Sequence, residues 1–208
     1  IETALKGEKS SLNQCVGHSD LVPGIYEGGF KLWECALDLV SYMHKSEFEL
    51  TGKHVLELGC GVGLPSIYCW LNGADVVCQD FNEEVLNLAT IPNFMANKAN
   101  VQDPLVMCSF ICGDWGNLPG LFEESSPRFH IILTSETIYN REAYGKLHKI
   151  FEKFLDEEGI ILIAAKSHYF GVGGSVIEFM SYVDRKGVFS CKNAWESSEG
   201  LRDRKSVV

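Results

Sequence analysis

Apolar residues recur along this chain in two alternating rhythms. Between residues 31 and 45, Leu32, Cys35, Ala36, Leu39, Val40 and Met43 return at helical spacing, which predicts a helix with one buried stripe. Thr51-Gly52 breaks that rhythm, and residues 54–58 form a short, mostly apolar run that reads as a buried strand. A glycine cluster follows. Residues 65–72 predict a helix opening on Pro65, whose missing N–H is no loss in a first turn. The alternation then repeats. Strands are predicted over 74–79, 105–112, 129–134, 160–165 and 188–195. Helices are predicted over 83–96, broken or kinked at Pro92, over 141–155, ended by Gly159, and over 175–186. Strands apolar on both faces, alternating with helices, predict an α/β fold with a mostly parallel central sheet flanked by helices. Such sheets bind ligands beyond the carboxyl ends of their strands, near the point where strand order reverses.

The residues after the first three strands carry candidate chemistry. The first strand leads into Glu57-Leu-Gly59-Cys-Gly61-Val-Gly63-Leu64. Glycines at this spacing let the backbone turn sharply and let a ligand come close. A nicotinamide fingerprint would need glycine where Leu64 stands. Glu57 would repel a pyrophosphate but suits a cation, or a ligand with an amine and hydroxyls. The second strand runs into Gln79-Asp80-Phe81-Asn82, which puts Asp80 where such folds place an acid to accept from ribose hydroxyls. The third runs into Gly113-Asp114-Trp115, an acid beside an aromatic, which suits an adenine. Three acids after three consecutive strands point to S-adenosylmethionine, which has an amine, a sulfonium and a ribose but no phosphate.

The 208 residues suffice for one domain. Residues 1–20 form a polar extension, and no repeat or linker divides the remainder. Net charge is −10, which argues against a general grip on nucleic-acid backbone and fits a small-molecule substrate or a basic protein. No apolar run approaches the roughly 20 residues of a membrane span, and no secretory signal is read, although the chain begins at Ile1. The eight cysteines form no C-x-x-C pair, so reduced thiols are expected, with no bound metal.

Three further segments narrow the reading. Upstream stands His18-Ser-Asp-Leu-Val-Pro23-Gly-Ile-Tyr26-Glu27-Gly28-Gly29-Phe30-Lys31-Leu32-Trp33-Glu34. After the fourth strand comes Leu133-Thr-Ser135-Glu136-Thr-Ile-Tyr139-Asn140, and after the fifth Lys166-Ser-His168-Tyr169-Phe170-Gly171-Val172-Gly173-Gly174. With the glycine loop, these resemble the histidine protein methyltransferase family, a branch of the protein-modifying methyltransferase-like group (family 16), from about residue 18 to 200. The resemblance implies a Rossmann-like, seven-stranded class I methyltransferase fold using S-adenosylmethionine and leaving S-adenosylhomocysteine. It implies that Phe30, Lys31, Leu32, Trp33 and Glu34 line the cofactor and that Glu57, Gly59, Gly61 and Gly63 face its amino-acid end. Gln79, Asp80 and Asn82 would then meet the ribose, Gly113, Asp114 and Trp115 the adenine, and Ser135 the pocket floor. The substrate class it implies is a histidine on a basic large-subunit ribosomal protein, met by a monomer in cytoplasm or nucleus, with no direct nucleic-acid or membrane binding. Residues 201–208 depart from the family as a poor last strand.

Methyl transfer to neutral imidazole needs positioning more than a strong base. An acceptor for the second ring nitrogen's N–H would fix the tautomer. Glu136 is the expected acceptor, and Tyr139 is expected to shape the substrate slot. His168 either bonds the substrate or is a loop histidine that only packs, and the turn over 171–174 is either a substrate cradle or a helix entry. The alternatives are a lysine methyltransferase of the same group and a non-catalytic ribosome-assembly or chaperone-binding module. A small-molecule methyltransferase would want a helical lid insertion, and a nicotinamide dehydrogenase is disfavoured by Leu64.

Overall fold

The computed structural model describes residues 22, 24–122, 128–169, 173–197 and 204–207. The polar extension, most of the upstream segment before Gly24, and Phe170 to Val172 of the third segment lie outside them. Seven strands form one sheet: β1 (His54–Leu58), β2 (Asp75–Asp80), β3 (Cys108–Cys112), β4 (Phe129–Ser135), β5 (Leu155–Lys166), β6 (Asn193–Ser197) and β7 (Arg204–Val207). Their order is β3-β2-β1-β4-β5-β7-β6. The first five are parallel, and β7 runs antiparallel between β5 and β6. The chain steps outward from β1 through β2 to β3, then returns to lay β4 on the other side of β1. That reversal opens a crevice at the carboxyl ends of β1 and β4.

Strand alternation divides the core in two. Val55, Val76, Ile131 and Leu133 pack with α1 (Glu34–Lys45), α2 (Leu64–Leu71) and Phe94 of α3 (Ile91–Asn97). Leu56, Leu58, Ile132 and Ile163 pack with α4 (Tyr144–Phe154) and α5 (Val176–Lys186). Glu57 shares its parity with Val55 and therefore points toward α2. The amphipathic helices end as their sequences dictate. Ser175 caps α5 by accepting from Glu178 N–H, and Gly187 closes it in the left-handed region.

Several boundaries differ from expectation. The 83–96 helix is α over Glu83–Val85, π over Leu86–Thr90 and α again over Ile91–Asn97. Pro92 has no N–H to give a preceding carbonyl, so the wide turn precedes it and Pro92 sits where a new first turn tolerates it. Strand β3 begins only at Cys108, after a turn in which Val106 N–H donates to Asp103 O. Gly159 ends no helix. Strand β5 starts at Leu155 directly after α4, with Phe129 facing Leu155 and Ile131 facing Ile160. Gly159 lies in the intervening bulge, where a Cβ would stand 2.8 Å from Leu155 Cδ1. The 188–195 strand is displaced to Asn193–Ser197. The poor last strand is a real one: β7 pairs with β5 from Ile163↔Val207 to Lys166↔Arg204.

Candidate functional site

A cavity of about 710 Å³ opens over the carboxyl ends of β1, β2 and β4, within the size range of small-ligand sites. Of the residues expected there, Lys31, Leu32, Trp33, Gly59, Gly61, Asp80, Gly113, Asp114, Trp115, Ser135, Glu136 and Tyr139 line it. Phe30, Glu34, Glu57, Gly63, Gln79, Asn82 and His168 do not. Phe30 lies against Tyr26, donating its N–H to the Tyr26 hydroxyl. Glu34 is exposed in the first turn of α1. Gly63 is the N-cap of α2. His168 is exposed in the loop after β5.

Glu57 is the main correction. It is wholly buried, and its Oε2 accepts from the N–H and hydroxyl of Ser66, in the first turn of α2. Burial pushes its carboxyl up to about 8, against the downward pull of the two Ser66 bonds. Its Oε1 is buried and takes no hydrogen bond from the described residues. The parity of β1 carried the signal: a residue two after Val55 faces α2, not the cavity.

This placement has a chemical consequence. Dinucleotide folds leave the helix N-terminus and glycine-loop amides open for phosphate. Here the chain puts its own carboxyl oxygen at that N-terminus. Gly59 N–H donates to Gln79 Oε1, Cys60 N–H to Gln79 O, Gly61 N–H to Asp80 Oδ2 and Gly63 N–H to Cys60 O. Gly61 has φ +52, and its Cβ would stand 3.1 Å from Gly29 O, so the loop abuts the segment before α1. With these amides engaged, the loop is a poor phosphate cradle. Its donor set fits a nucleoside without phosphate.

Gln79 and Asn82, on either side of Asp80 and Phe81, organise the wall rather than form it. Gln79 donates to Gly113 O and accepts from Trp115 Nε1 at 2.7 Å, fixing the indole. Asn82 donates to Ile25 O and accepts from Glu27 N–H, tying the segment before α1 to the tip of β2. Asp80 accepts from Gly61 N–H at 2.9 Å and Asn82 N–H at 3.1 Å. Burial pushes its carboxyl up, while these bonds pull it back. Asp80 lines the cavity, where a carboxylate can accept from a ligand hydroxyl. Asp114 is engaged by the Lys146 ammonium at 2.9 and 2.7 Å, which holds its carboxyl below the usual range.

The far end of the cavity joins the expected Lys31, Trp33, Glu136 and Tyr139 to Glu27, Lys166 and Tyr169, to which the sequence reading gives no role. Trp33 donates its Nε1 to Gly28 O, and the Lys31 and Lys166 ammoniums stand 4.6 and 5.5 Å from its ring centre. Lys166, 8% exposed, lies 3.4 Å from Glu136 Oε1. Glu136 adopts φ +57 directly after β4, a strained conformation for a residue with a side chain. Burial and Glu136 push the Tyr169 phenol up. Tyr139 donates its hydroxyl to Glu27 Oε2, and burial and that carboxylate push the phenol up. Gly174 N–H donates to Tyr139 O at 2.8 Å, and a Cβ on Gly174 would stand 2.1 Å from Ile138 O. Gly174 thus braces the loop that carries Tyr139. Glu27 and Lys166 stand in segments that carry the resemblance but are given no role there, and Lys146 stands in none; tertiary packing brings them to one cavity.

A family profile described as lysine methyltransferase matches residues 24–185. The chain is 41% identical, over 91% of its length, to a protein of Dictyostelium discoideum named histidine protein methyltransferase 1 homolog, and covers 60% of that protein. It is 38% identical over 97% of its length to the Mus musculus protein of the same name, covering 62% of it. The chain therefore spans about three fifths of these curated relatives. Among solved structures, magnesium protoporphyrin IX methyltransferase from Synechocystis PCC 6803, with bound SAH, superposes with a TM-score of 0.60 at 15% identity. That superposition covers 83% of this chain and 80% of the other. At that identity the likeness is one of fold.

Proposed function

The chain belongs to the lysine methyltransferase family, and from that membership we propose that it transfers the methyl group of S-adenosylmethionine to a protein side chain, the acceptor being a histidine imidazole. One observation carries the cofactor reading. The chain closes its own phosphate position with Glu57 and leaves Asp80, Gly113 and Trp115 on the wall of a nucleoside-sized cavity. Bound there, S-adenosylmethionine would supply an electrophilic methyl on a sulfonium. Asp80 would accept from the ribose hydroxyls, and the Gln79-anchored indole of Trp115, with Asp114, would frame the adenine. Trp33 and Ser135 would complete the wall toward the acceptor.

The relatives named as histidine protein methyltransferases support imidazole over lysine. So does the chemistry. Imidazole, with a pKa of about 6.5, is mostly neutral above that pH, whereas a lysine ammonium of about 10.4 must first lose a proton. The acidic chain suits a basic protein partner, and we take a large-subunit ribosomal protein as the substrate class, met by a monomer in cytoplasm or nucleus. The test incubates the protein with methyl-labelled S-adenosylmethionine and isolated large-subunit ribosomal proteins, then identifies the labelled amino acid after hydrolysis. Methylhistidine is expected. Methyl-lysine, or no incorporation, overturns the reading.

A further inference from the structure

We propose that Glu27, rather than Glu136, accepts the N–H of the substrate imidazole, with Tyr139 holding its carboxylate in place. The proposal rests on the histidine reading and names the group that would fix the acceptor's tautomer.

The acids on the cavity wall are not equivalent. Asp80 is bonded to Gly61 and Asn82 and faces the nucleoside end. Asp114 is neutralised by Lys146. Glu136 has its charge offset by the Lys166 ammonium 3.4 Å from Oε1, although that oxygen takes no hydrogen bond from the described residues, and its side chain is only 7% exposed. Glu142 is exposed at the rim, where water screens its charge. Glu27 differs from all four. It lines the cavity and is half-buried. Its partners are neutral donors: Gly24 N–H at 2.6 Å on Oε1 and the Tyr139 hydroxyl on Oε2. Among the described residues no cation pairs with it, so its charge stays available to a ligand.

Its position is also fixed. Its own N–H donates to Asn82 Oδ1 at 3.2 Å, and Trp33 bonds Gly28 O next door. The acid is therefore tied both to the tip of β2 and to the loop after β4. Burial and Glu27 itself push the Tyr139 phenol up, so the hydroxyl stays a donor and orients the carboxylate. Among the described residues each oxygen takes one donor, Gly24 N–H on Oε1 and the Tyr139 hydroxyl on Oε2, and a carboxylate oxygen can accept a second.

In the step itself, the unprotonated ring nitrogen gives its lone pair to the methyl carbon. The new C–N bond forms as the C–S bond breaks, and that bond's electrons stay on sulfur as a neutral thioether. The imidazolium produced donates its remaining N–H to Glu27, and the proton leaves to solvent. A carboxylate in that place selects which nitrogen carries hydrogen, and so which is methylated.

The test compares Glu27→Gln, Tyr139→Phe and Glu136→Gln using large-subunit ribosomal proteins and labelled S-adenosylmethionine. It reads turnover, the ratio of the two ring-nitrogen methylhistidines, and S-adenosylhomocysteine affinity by calorimetry. Glu27→Gln keeps an acceptor oxygen but removes the charge. It is expected to lower turnover by about 100-fold, to mix the two isomers and to leave affinity near wild type. Tyr139→Phe, which loses one bond to the carboxylate, lowers turnover by about tenfold. Wild-type turnover and isomer ratio in Glu27→Gln would overturn the proposal. So would a loss that merely follows affinity with the isomer unchanged, or an isomer mixture produced by Glu136→Gln instead. Methyl-lysine from the wild type overturns the histidine reading, and this one with it.

Discussion

Ser66 N–H reaches Glu57 Oε2 at 2.9 Å, joining the end of β1 to the first turn of α2 through a carboxyl that is wholly buried. Burial raises this carboxyl from its ordinary value to about 8, so the folded chain binds a proton there that the unfolded chain releases near pH 4.5. A group raised in this way contributes stability that is complete below its unfolded value and is lost as pH rises toward the folded one. Wild-type stability should therefore decline between about pH 5 and pH 8 relative to Glu57→Gln, with a slope of at most about 1.4 kcal/mol per pH unit. Urea midpoints of the two proteins across that range check this, and parallel profiles would contradict it.

Lys166 and Glu136 form a buried pair at 3.4 Å, with side-chain exposures of 11% and 7%. Removing one partner strands the other's charge, which costs about 3 kcal/mol or more. Lys166→Met and Glu136→Gln should each lower unfolding free energy by that order. The double variant should lose clearly less than the two losses added together. Additive losses in a double-mutant cycle would show that the pair is not coupled.

Gly174 meets backbone, which cannot step aside as a flexible side chain can. With Ile138 O at 2.1 Å and Tyr139 O at 2.6 Å from the added Cβ, Gly174→Ala must push the Tyr139 loop outward. The expected result is about 1–3 kcal/mol of lost stability, with turnover falling more than S-adenosylhomocysteine affinity. Unchanged stability and turnover would refute the bracing role.

Much of this arrangement was legible from residues near one another in sequence. His54–Leu58 reads as a strand from its apolar run, α1 from its apolar stripe, and Asp80 as a strand-tip acid from the alternation before it. What escaped was set at a distance. The polar Arg204–Val207 segment becomes a strand because β5 and β6 pair with it on both sides. Gly159 looked like a helix terminator because a glycine required by close packing in a bulge carries no different local sign. Glu57 precedes the glycine loop as a ligand-binding acid would, but β1 turns it toward Ser66 of the following helix. Glu136 looked available because Lys166 stands thirty residues away, at the end of the neighbouring strand.

The central claim is that Asp80 lies at the heart of a site for a phosphate-free nucleoside, and calorimetric titration tests it most directly. S-adenosylhomocysteine should bind the wild-type chain saturably, Asp80→Ala should weaken it at least tenfold, about 1.4 kcal/mol, and NAD should give no binding heat. Equal affinity in wild type and Asp80→Ala, or saturable NAD binding in place of S-adenosylhomocysteine, would contradict the account.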